Sequence, residues 1–146
     1  MNKSEILRLI QDKITEKINY LDGLIADMRA SNNDTKSSMG DKYETSREML
    51  QQEINRLLNQ IQVFVQQKEI LKKINDKVCD KVEIGSLVET DKGWFYISVS
   101  LGEILFENHK IICISSDSPL AKAMANRRVA ESFSINQMKQ TIKTIL

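Results

Sequence analysis

The sequence of 146 residues has few of the residue types that carry redox, metal or hydrolytic chemistry: two cysteines, one histidine and one proline. Cys79 and Cys113 are too few and too far apart for a disulfide framework or a metal cluster, so both thiols are expected to be reduced. Because His109 is the single histidine, no nucleophile–base pair can be assembled around it. A catalytic role for His109 is therefore not expected.

Long apolar runs and a strong net charge are absent as well. No run approaches the roughly 20 apolar residues that a membrane span needs, and residues 3–13 alternate charged with apolar types, unlike a signal peptide. The net charge is +1, with 12 basic against 11 acidic residues in 1–75 and nine of each in 76–146. Without a basic face, tight nucleic-acid binding is not expected. The composition favours a cytoplasmic protein, not bound to membranes, whose partner is another protein.

Two stretches of heptad periodicity fill the first half of the chain. In the first stretch, apolar residues recur every seven positions with companions three or four residues later: Leu7, Ile10, Ile14, Ile18, Leu21, Leu24, Ile25 and Met28. The second stretch repeats the pattern in Leu50, Ile54, Leu57, Ile61, Phe64 and Leu71. Each pattern predicts a helix with one apolar seam, which needs a partner helix to cover it.

A polar segment, residues 31–41, separates the two stretches and has too few apolar groups for a core. The simplest structure is an antiparallel coiled-coil hairpin over residues 1–75, with helices ending near Ala30 and Asn75 and a tip near residues 31–44. At about 1.5 Å per residue, arms of roughly 28 residues would hold the tip about 40 Å from the base. We expect a monomer; the alternative is a dimeric coiled coil that uses the same heptads as an adaptor.

Residues 76–146 carry strand and turn signals instead. The predicted strands are Leu87–Thr90, Trp94–Ser100, Ile104–Phe106, Ile111–Ser115, Val129–Ile135 and Lys139–Leu146. Ser118 and Pro119 predict the N-cap and first turn of a short helix that continues to Ala125. The predicted class is α+β, with an N-terminal hairpin followed by a small antiparallel β-sheet domain with one short helix.

Three segments, in this order after a helical hairpin, resemble the Gre-type transcript cleavage factors of bacteria. From Val82 the chain reads V-E-I-G-S-L-V, where the family has V-x-x-G-S/T-x-V. From Ile114 it reads I-S-S-D-S-P-L-A-K-A-M, where the family has I-S-x-x-S-P-L-A/G-K-A-L. Residues 128–133, R-V-A-E-S-F, stand at the family's V-G-D-x-V. The resemblance covers essentially the whole chain and is most specific at Ser118–Lys122.

The resemblance implies that residues 76–146 form an FKBP-like domain that binds RNA polymerase. It offers six candidate contact residues: Ser118, Pro119, Leu120, Lys122, Arg127 and Arg128. It also implies that the hairpin enters the secondary channel, where acidic tip residues help to hold a Mg²⁺ ion and the polymerase cleaves backtracked RNA. Contact with the nascent RNA would be indirect. Mg²⁺ is expected only in the polymerase complex, and no cofactor is expected on this chain alone.

The tip is where this sequence departs from the family, whose tip reads approximately G-D-L-S-E-N-A-E-Y. Tyr43 matches the family's tyrosine, and counting back from it places Lys36 and Met39 where the acids belong. Asp41 and Glu44 have the mutual spacing of the family's acids but lie later in the sequence. The tip therefore keeps the residue types of the family in a shifted position.

Two functions follow from this shifted tip. In the first, Asp41, Glu44 and Asp34 assist the polymerase, Asp41 and Glu44 share the Mg²⁺ ion with it, and Tyr43 packs near the tip. The alternative is a transcription regulator that binds the secondary channel without stimulating cleavage.

The candidate residues also have ordinary structural explanations. The three acids are typical of solvated loop and helix-cap positions, and the two candidate arginines are typical of a solvated surface. A prolyl isomerase, a different class, would require an aromatic-lined pocket in the sheet domain.

Overall fold

The computed structural model describes residues 1–34 and 40–146, with side chains described for residues 1–31 and 44–146. Its elements are α1 (Lys3–Asp34), α2 (Gly40–Lys72), β1 (Leu87–Thr90), β2 (Gly93–Ser98), β3 (Gly102–Phe106), β4 (His109–Ser115), α3 (Pro119–Met124), β5 (Ser132–Ile135) and β6 (Met138–Ile145). Two long helices followed by a six-stranded sheet and one short helix confirm the predicted α+β class. None of the helices in the described ranges is both long enough and apolar enough to cross a membrane.

Contacts divide the chain into two compact units. Unit 1 comprises Met1–Gln11 together with Glu69–Leu146, and unit 2 comprises Asp12–Lys68. The first residues of α1 and the last residues of α2 thus belong with the sheet, whereas the middle of both helices forms a unit of its own. The domain boundary at residues 75 and 76 stays a prediction based on composition.

The core of unit 2 is shared between α1 and α2. Its buried residues come equally from the two helices: Leu21, Ile25, Ile54 and Leu57. Partly buried heptad residues pack against them: Leu24, Met28, Leu50, Ile61 and Phe64. Lys17, earlier in α1, lies with its Nζ 5.9 Å from the centroid of the Phe64 ring, late in α2. Since early α1 meets late α2, the helices are antiparallel, and the heptads form a core within one chain.

Both long helices end at positions that differ from the prediction. α1 continues to Asp34 instead of ending near Ala30, and α2 ends at Lys72 instead of near Asn75. Ser, Asn and Asp are each only a few tenths of a kcal/mol to about 0.7 kcal/mol worse than Ala in a helix, so a short run of them does not stop one. At the end of α2 the backbone tightens, because the amide of Lys73 donates to the carbonyl of Ile70 at 3.1 Å.

The sheet has the strand order β3-β4-β2-β1-β6-β5. β1 and β2 form an antiparallel hairpin, in which Leu87 pairs with Tyr96. β2 and β4, however, are parallel, with Trp94 opposite Ile111, so the sheet is mixed. The prediction of an antiparallel sheet is wrong for this pair and right for the other four. Side chains alternate with a period of two in strands of either direction, and the sequence pattern therefore does not distinguish the two pairings.

Apolar residues on one face of the sheet form the main core of unit 1 together with α3. This core contains Val82, Val88, Phe95, Ile97, Ala121, Met124, Phe133, Ile142 and Ile145. Tyr96 and Cys113 are directly paired neighbours on β2 and β4, so they share the opposite face. They are 0% and 2% exposed, respectively. The centre of the sheet is therefore buried on both faces.

Two buried polar groups in the sheet differ in how they are satisfied. The hydroxyl of Thr90 donates to Oε1 of Gln140 at 2.9 Å and accepts from the amide of Lys92 at 3.0 Å. The hydroxyl of Tyr96 is buried and has no hydrogen-bond partner among the described residues. A buried hydroxyl without a hydrogen-bond partner is destabilising. When a paired hydroxyl is removed, its former partner is left buried and unsatisfied, which also costs stability.

Removal of these two hydroxyls is expected to have opposite consequences. Tyr96→Phe should leave the free energy of unfolding unchanged or raise it by up to about 1 kcal/mol, because an unsatisfied group is lost. Thr90→Val, of similar size, should lower it by about 1–3 kcal/mol, since Gln140 then loses its buried partner. Urea unfolding of the two variants and the parent gives both values. A Tyr96→Phe variant that is destabilised more than Thr90→Val would contradict this account.

The same face makes the protein sensitive to alkaline pH. Burial raises the pKa of Tyr96 from 10.0 to about 12, with smaller contributions from the charges of Cys113, Cys79 and Asp76. Burial likewise raises the pKa of Cys113 from 9.0 to about 12. The folded state holds both protons more tightly than the unfolded state. Their stabilisation is thus complete below about pH 9 and is lost progressively as the pH rises to about 12.

Thermal unfolding followed between pH 8 and pH 11 should therefore show a falling Tm. In Cys113→Ala, one of the two groups is absent, so the slope of Tm against pH should be shallower even though the variant is less stable overall. Equal slopes for the two proteins would show that Cys113 does not contribute.

Candidate functional site

The predicted tip residues fall at the adjoining ends of α1 and α2. Asp34 is the last residue of α1, and Asp41 and Tyr43 lie at the start of α2; their side chains are outside the described part of the chain. Lys36 and Met39, which stand where the family carries its acids, lie outside the described residues altogether. Asp34, Asp41 and Tyr43 therefore lie in helices, at the helix ends that adjoin residues 35–39 in the sequence.

Glu44 is exposed to solvent. It follows Asp41 by three residues in α2, and this spacing places two positions on the same side of a helix. Asp34 and the start of α2 are separated only by residues 35–39. The three predicted acids are therefore carried by the connected ends of the two helices, and two of them share one helical turn.

In unit 1, two of the sequence motifs come together through their backbones. The amide of Val82 donates to the carbonyl of Arg127 at 2.9 Å, and the amide of Asn126 donates to the carbonyl of Val82 at 2.8 Å. The Ser86 hydroxyl closes the turn that follows: it donates to the carbonyl of Glu83 at 2.5 Å and accepts from the amide of Glu83 at 3.0 Å. The V-E-I-G-S motif and the end of α3 therefore form one local structure.

Gly85 in this turn has a structural role. Its φ is +91°, and a Cβ placed on it would lie 3.2 Å from Cγ2 of Ile74, the buried residue that follows α2. Its amide donates to the carbonyl of Ile97 at 2.7 Å. Only glycine readily combines this backbone conformation with so close a neighbour. The glycine of the motif thus fits the turn against the end of the helical hairpin.

α3 begins as the sequence predicts. Ser118 is its N-cap, with the Oγ accepting from the amide of Ala121 at 3.2 Å, and Pro119 occupies the first turn. The helix is anchored by Ala121 and Met124, which are 3% and 0% exposed in the main core. Ser118 and Pro119, predicted as partner contacts, therefore also determine where α3 starts.

The remaining predicted contact residues divide into packed and exposed groups. Leu120 is partly buried against the core. Nε of Arg127 donates to the carbonyl of Ala123 at 2.9 Å, so this arginine is held at the end of α3. Lys122 and Arg128 are exposed. Of the two predicted arginines, Arg128 is therefore exposed and Arg127 is half-buried against α3.

A cavity of about 150 Å³ lies where the two motifs meet, and none of its lining residues is aromatic: Val82, Glu83, Ile84, Ile97, Ser116, Ala121, Ala125 and Asn126. Small-molecule sites usually measure about 300–1,000 Å³, so this cavity is better suited to contact with a protein side chain. It does not supply the aromatic-lined pocket that the prolyl isomerase alternative requires.

Two exposed apolar residues in this part of unit 1 were not identified from the sequence. Ile84 is 50% exposed, and Val129 is 52% exposed. Ile84 lies in the turn that the Ser86 amide closes by donating to the carbonyl of Glu83 at 3.0 Å, and its side chain faces solvent.

No group of three or more His, Cys, Asp or Glu side chains within the described ranges is arranged to hold a metal ion. Among the predicted Mg²⁺ ligands, Glu44 is the one whose side chain is described, and a single carboxylate does not make a site.

No family model and no curated protein matches this sequence. Several solved structures are similar to it over most of their length. A structure of the transcription factor Gfh1 is 16% identical, covers 92% of each chain and has a TM-score of 0.37. GreA factor homolog 1 (Gfh1) of Thermus thermophilus is 17% identical over 97% of this chain and 93% of that chain, with a TM-score of 0.36. Gfh1 of Thermus aquaticus is 18% identical over 99% and 94%, with a TM-score of 0.31.

Substitution of Ser118 tests whether its side chain caps α3. Ser118→Ala removes the acceptor for the Ala121 amide and is expected to lower the free energy of unfolding by about 1 kcal/mol. Ser118→Asp retains an acceptor and should stay close to the parent, as should Lys122→Ala at an exposed position. Chemical denaturation measures all three. Equal stability of Ser118→Ala and Ser118→Asp would contradict the capping role.

Proposed function

We propose that this protein binds bacterial RNA polymerase through the secondary channel and stimulates cleavage of backtracked RNA by the active site of the polymerase. The sequence resemblance to Gre-type factors supports this function over nearly the whole chain. The observation that carries it is the placement of Asp34, Asp41 and Glu44 at the connected ends of two helices that bury their seams against each other. The protein would perform no reaction alone.

In this function, the tip supplies negatively charged oxygens to a site that belongs mainly to the polymerase. Mg²⁺ prefers carboxylate oxygens and water, and a pair of such ions stabilises both the attacking and the leaving oxygen of a phosphodiester. Asp41 and Glu44 would contribute ligands or orient the attacking water, with Asp34 as a third acid. Tyr43, between Asp41 and Glu44 in sequence, would pack near the tip.

Lysines near the acids favour a shared site over one made by this chain alone. Lys36 and Lys42 flank Asp41 in sequence, and their ammonium groups compete with a metal ion for the carboxylates. Acidic groups of the polymerase and the RNA phosphate would complete the site. This is why Mg²⁺ is proposed only for the complex.

Unit 1 would bind the outer surface of the polymerase through the region around α3. Lys122 and Arg128 present exposed cations, and Ile84 and Val129 present exposed apolar surface. A partner with acidic groups around an apolar contact would complement this combination. Ser118, Pro119, Leu120 and Arg127 would act chiefly by shaping α3.

A second function is favoured by one specific observation. Counted back from Tyr43, the positions of the family's acids hold Lys36 and Met39. A tip with these residues in place of the acids would still enter the channel but would not supply the carboxylates. The protein would then be a transcription regulator that occupies the secondary channel without stimulating cleavage.

The deciding experiment measures RNA cleavage in halted, backtracked polymerase complexes with and without the protein. Asp41→Asn combined with Glu44→Gln should reduce the cleavage rate by about 10-fold or more, because ligand oxygens lose their charge. Glu48→Gln, at an exposed position one turn further along α2, serves as the matched control and should cleave like the parent. Binding to the polymerase should be unchanged in both variants.

Charge reversal at Lys122 and Arg128 provides the binding arm of the experiment. This double variant should weaken binding to the polymerase at low salt and should reduce cleavage only through reduced occupancy. Parent protein that competes for the channel but leaves the RNA uncut would establish the regulator instead. Parent protein that does not bind the polymerase would reject both functions.

A further inference from the structure

A lysine and a cysteine lie side by side in unit 1, outside the candidate site. Lys3, at the start of α1, is only 6% exposed. Its Nζ donates to the backbone carbonyl of Lys77 at 2.7 Å and lies 3.9 Å from Sγ of Cys79. Cys79 is half-buried. The hydrogen bond to Lys77 therefore holds an amine next to a half-buried thiol.

The surroundings favour the uncharged forms of both groups. Burial lowers the pKa of Lys3, opposed by the negative charges of Cys79, Asp76 and Glu83. Burial raises the pKa of Cys79, opposed by Lys3 and reinforced by Glu83. A larger share of Lys3 is thus the free amine, which is the nucleophilic form. The raised pKa of Cys79 reduces the fraction of thiolate at neutral pH, and this fraction grows as the pH rises.

We propose that Lys3 and Cys79 form a covalent nitrogen–sulfur crosslink when the protein is exposed to hydrogen peroxide. The thiolate of Cys79 attacks one peroxide oxygen and hydroxide leaves, giving a sulfenic acid. The free amine of Lys3 then attacks this sulfur, an S–N bond forms, the S–O bond breaks and water leaves. Overall, one thiol, one amine and one hydrogen peroxide give one sulfenamide and two waters. Sulfur loses two electrons and the peroxide gains them.

This modification site is independent of the proposed function, since Lys3 and Cys79 are neither at the tip nor among the proposed contact residues around α3. The crosslink would tie the start of α1 to the segment that follows α2. It closes a loop that spans residues 3–79 and so restricts the unfolded chain as a disulfide would. A thiol reductant reverses it by attack on sulfur, releasing the Lys3 amine and the Cys79 thiol while the reductant becomes a disulfide.

The test uses the full chain in a Cys113→Ala background, which removes the other thiol. After treatment with excess hydrogen peroxide and tryptic digestion, mass spectrometry should show residues 1–8 joined to residues 78–81. The joined pair should be lighter by about 2 Da than the sum of the two peptides, because two hydrogens are lost. Dithiothreitol should restore the separate peptides. The melting temperature of the oxidised protein should rise by about 5 °C or more and fall again on reduction.

Three variants decide whether the pair is the cause. Cys79→Ser and Lys3→Arg should give no joined peptide, and in Lys3→Arg the sulfur should proceed to the sulfinic acid. Lys77→Arg changes an exposed lysine two residues from Cys79 and should crosslink like the background protein. A joined peptide in Lys3→Arg would overturn the proposal, as would oxidation of Cys79 in the background protein to sulfinic acid or an intermolecular disulfide without a joined peptide.

Discussion

Neither long helix can bury its apolar seam alone, and this constraint organises the first half of the protein. The seam of α1 is covered by that of α2 through Leu21, Ile25, Ile54 and Leu57. Because only residues 35–39 separate the helices in sequence, mutual burial requires antiparallel packing. Antiparallel packing in turn brings the end of α1 and the start of α2 together, along with the acidic residues they carry. The proposed function depends on this consequence of seam burial.

Unit 1 shows how residues of one motif serve different purposes. Gly85 and Ser86 shape a turn, Ser118 caps α3, and Arg127 is bonded to the end of that helix. These roles would be needed in any protein with this local fold. The proposed contact with a polymerase therefore depends on the exposed groups beside them, above all Lys122 and Arg128. The motif residues with structural roles account for a shared local fold, whereas a shared partner would depend on the exposed residues.

Lys3 occupies a position that local sequence rules disfavour for a lysine. The positive end of a helix dipole favours acidic residues, and Glu5 in the first turn of α1 fits that rule. Lys3 stands at the same helix end and is nearly fully buried. Its amine finds a backbone carbonyl and a thiol but no carboxylate within ion-pair distance in the described structure. Such exceptions to local rules are typical of strained or functional positions.

The sequence by itself determined the elements whose signals are local. Apolar periodicity predicted both long helices and most strands, and the pair Ser118 and Pro119 predicted the start of α3, because each depends on residues near one another in the chain. The same patterns missed the last four residues of α1, since the propensities involved are too small to mark an end. For the candidate site, the sequence supplied the acids and cations by position and type.

Only the tertiary structure decided the direction of β4 beside β2, the exposure of Ile84, and the contact between Lys3 and Cys79. It also brought Val82 to Asn126 and Arg127, more than 40 residues later in the chain. The physical reason is common to all of these features. Each joins or separates residues that are distant in sequence, and their positions follow from packing the whole unit, which no local pattern of residues encodes.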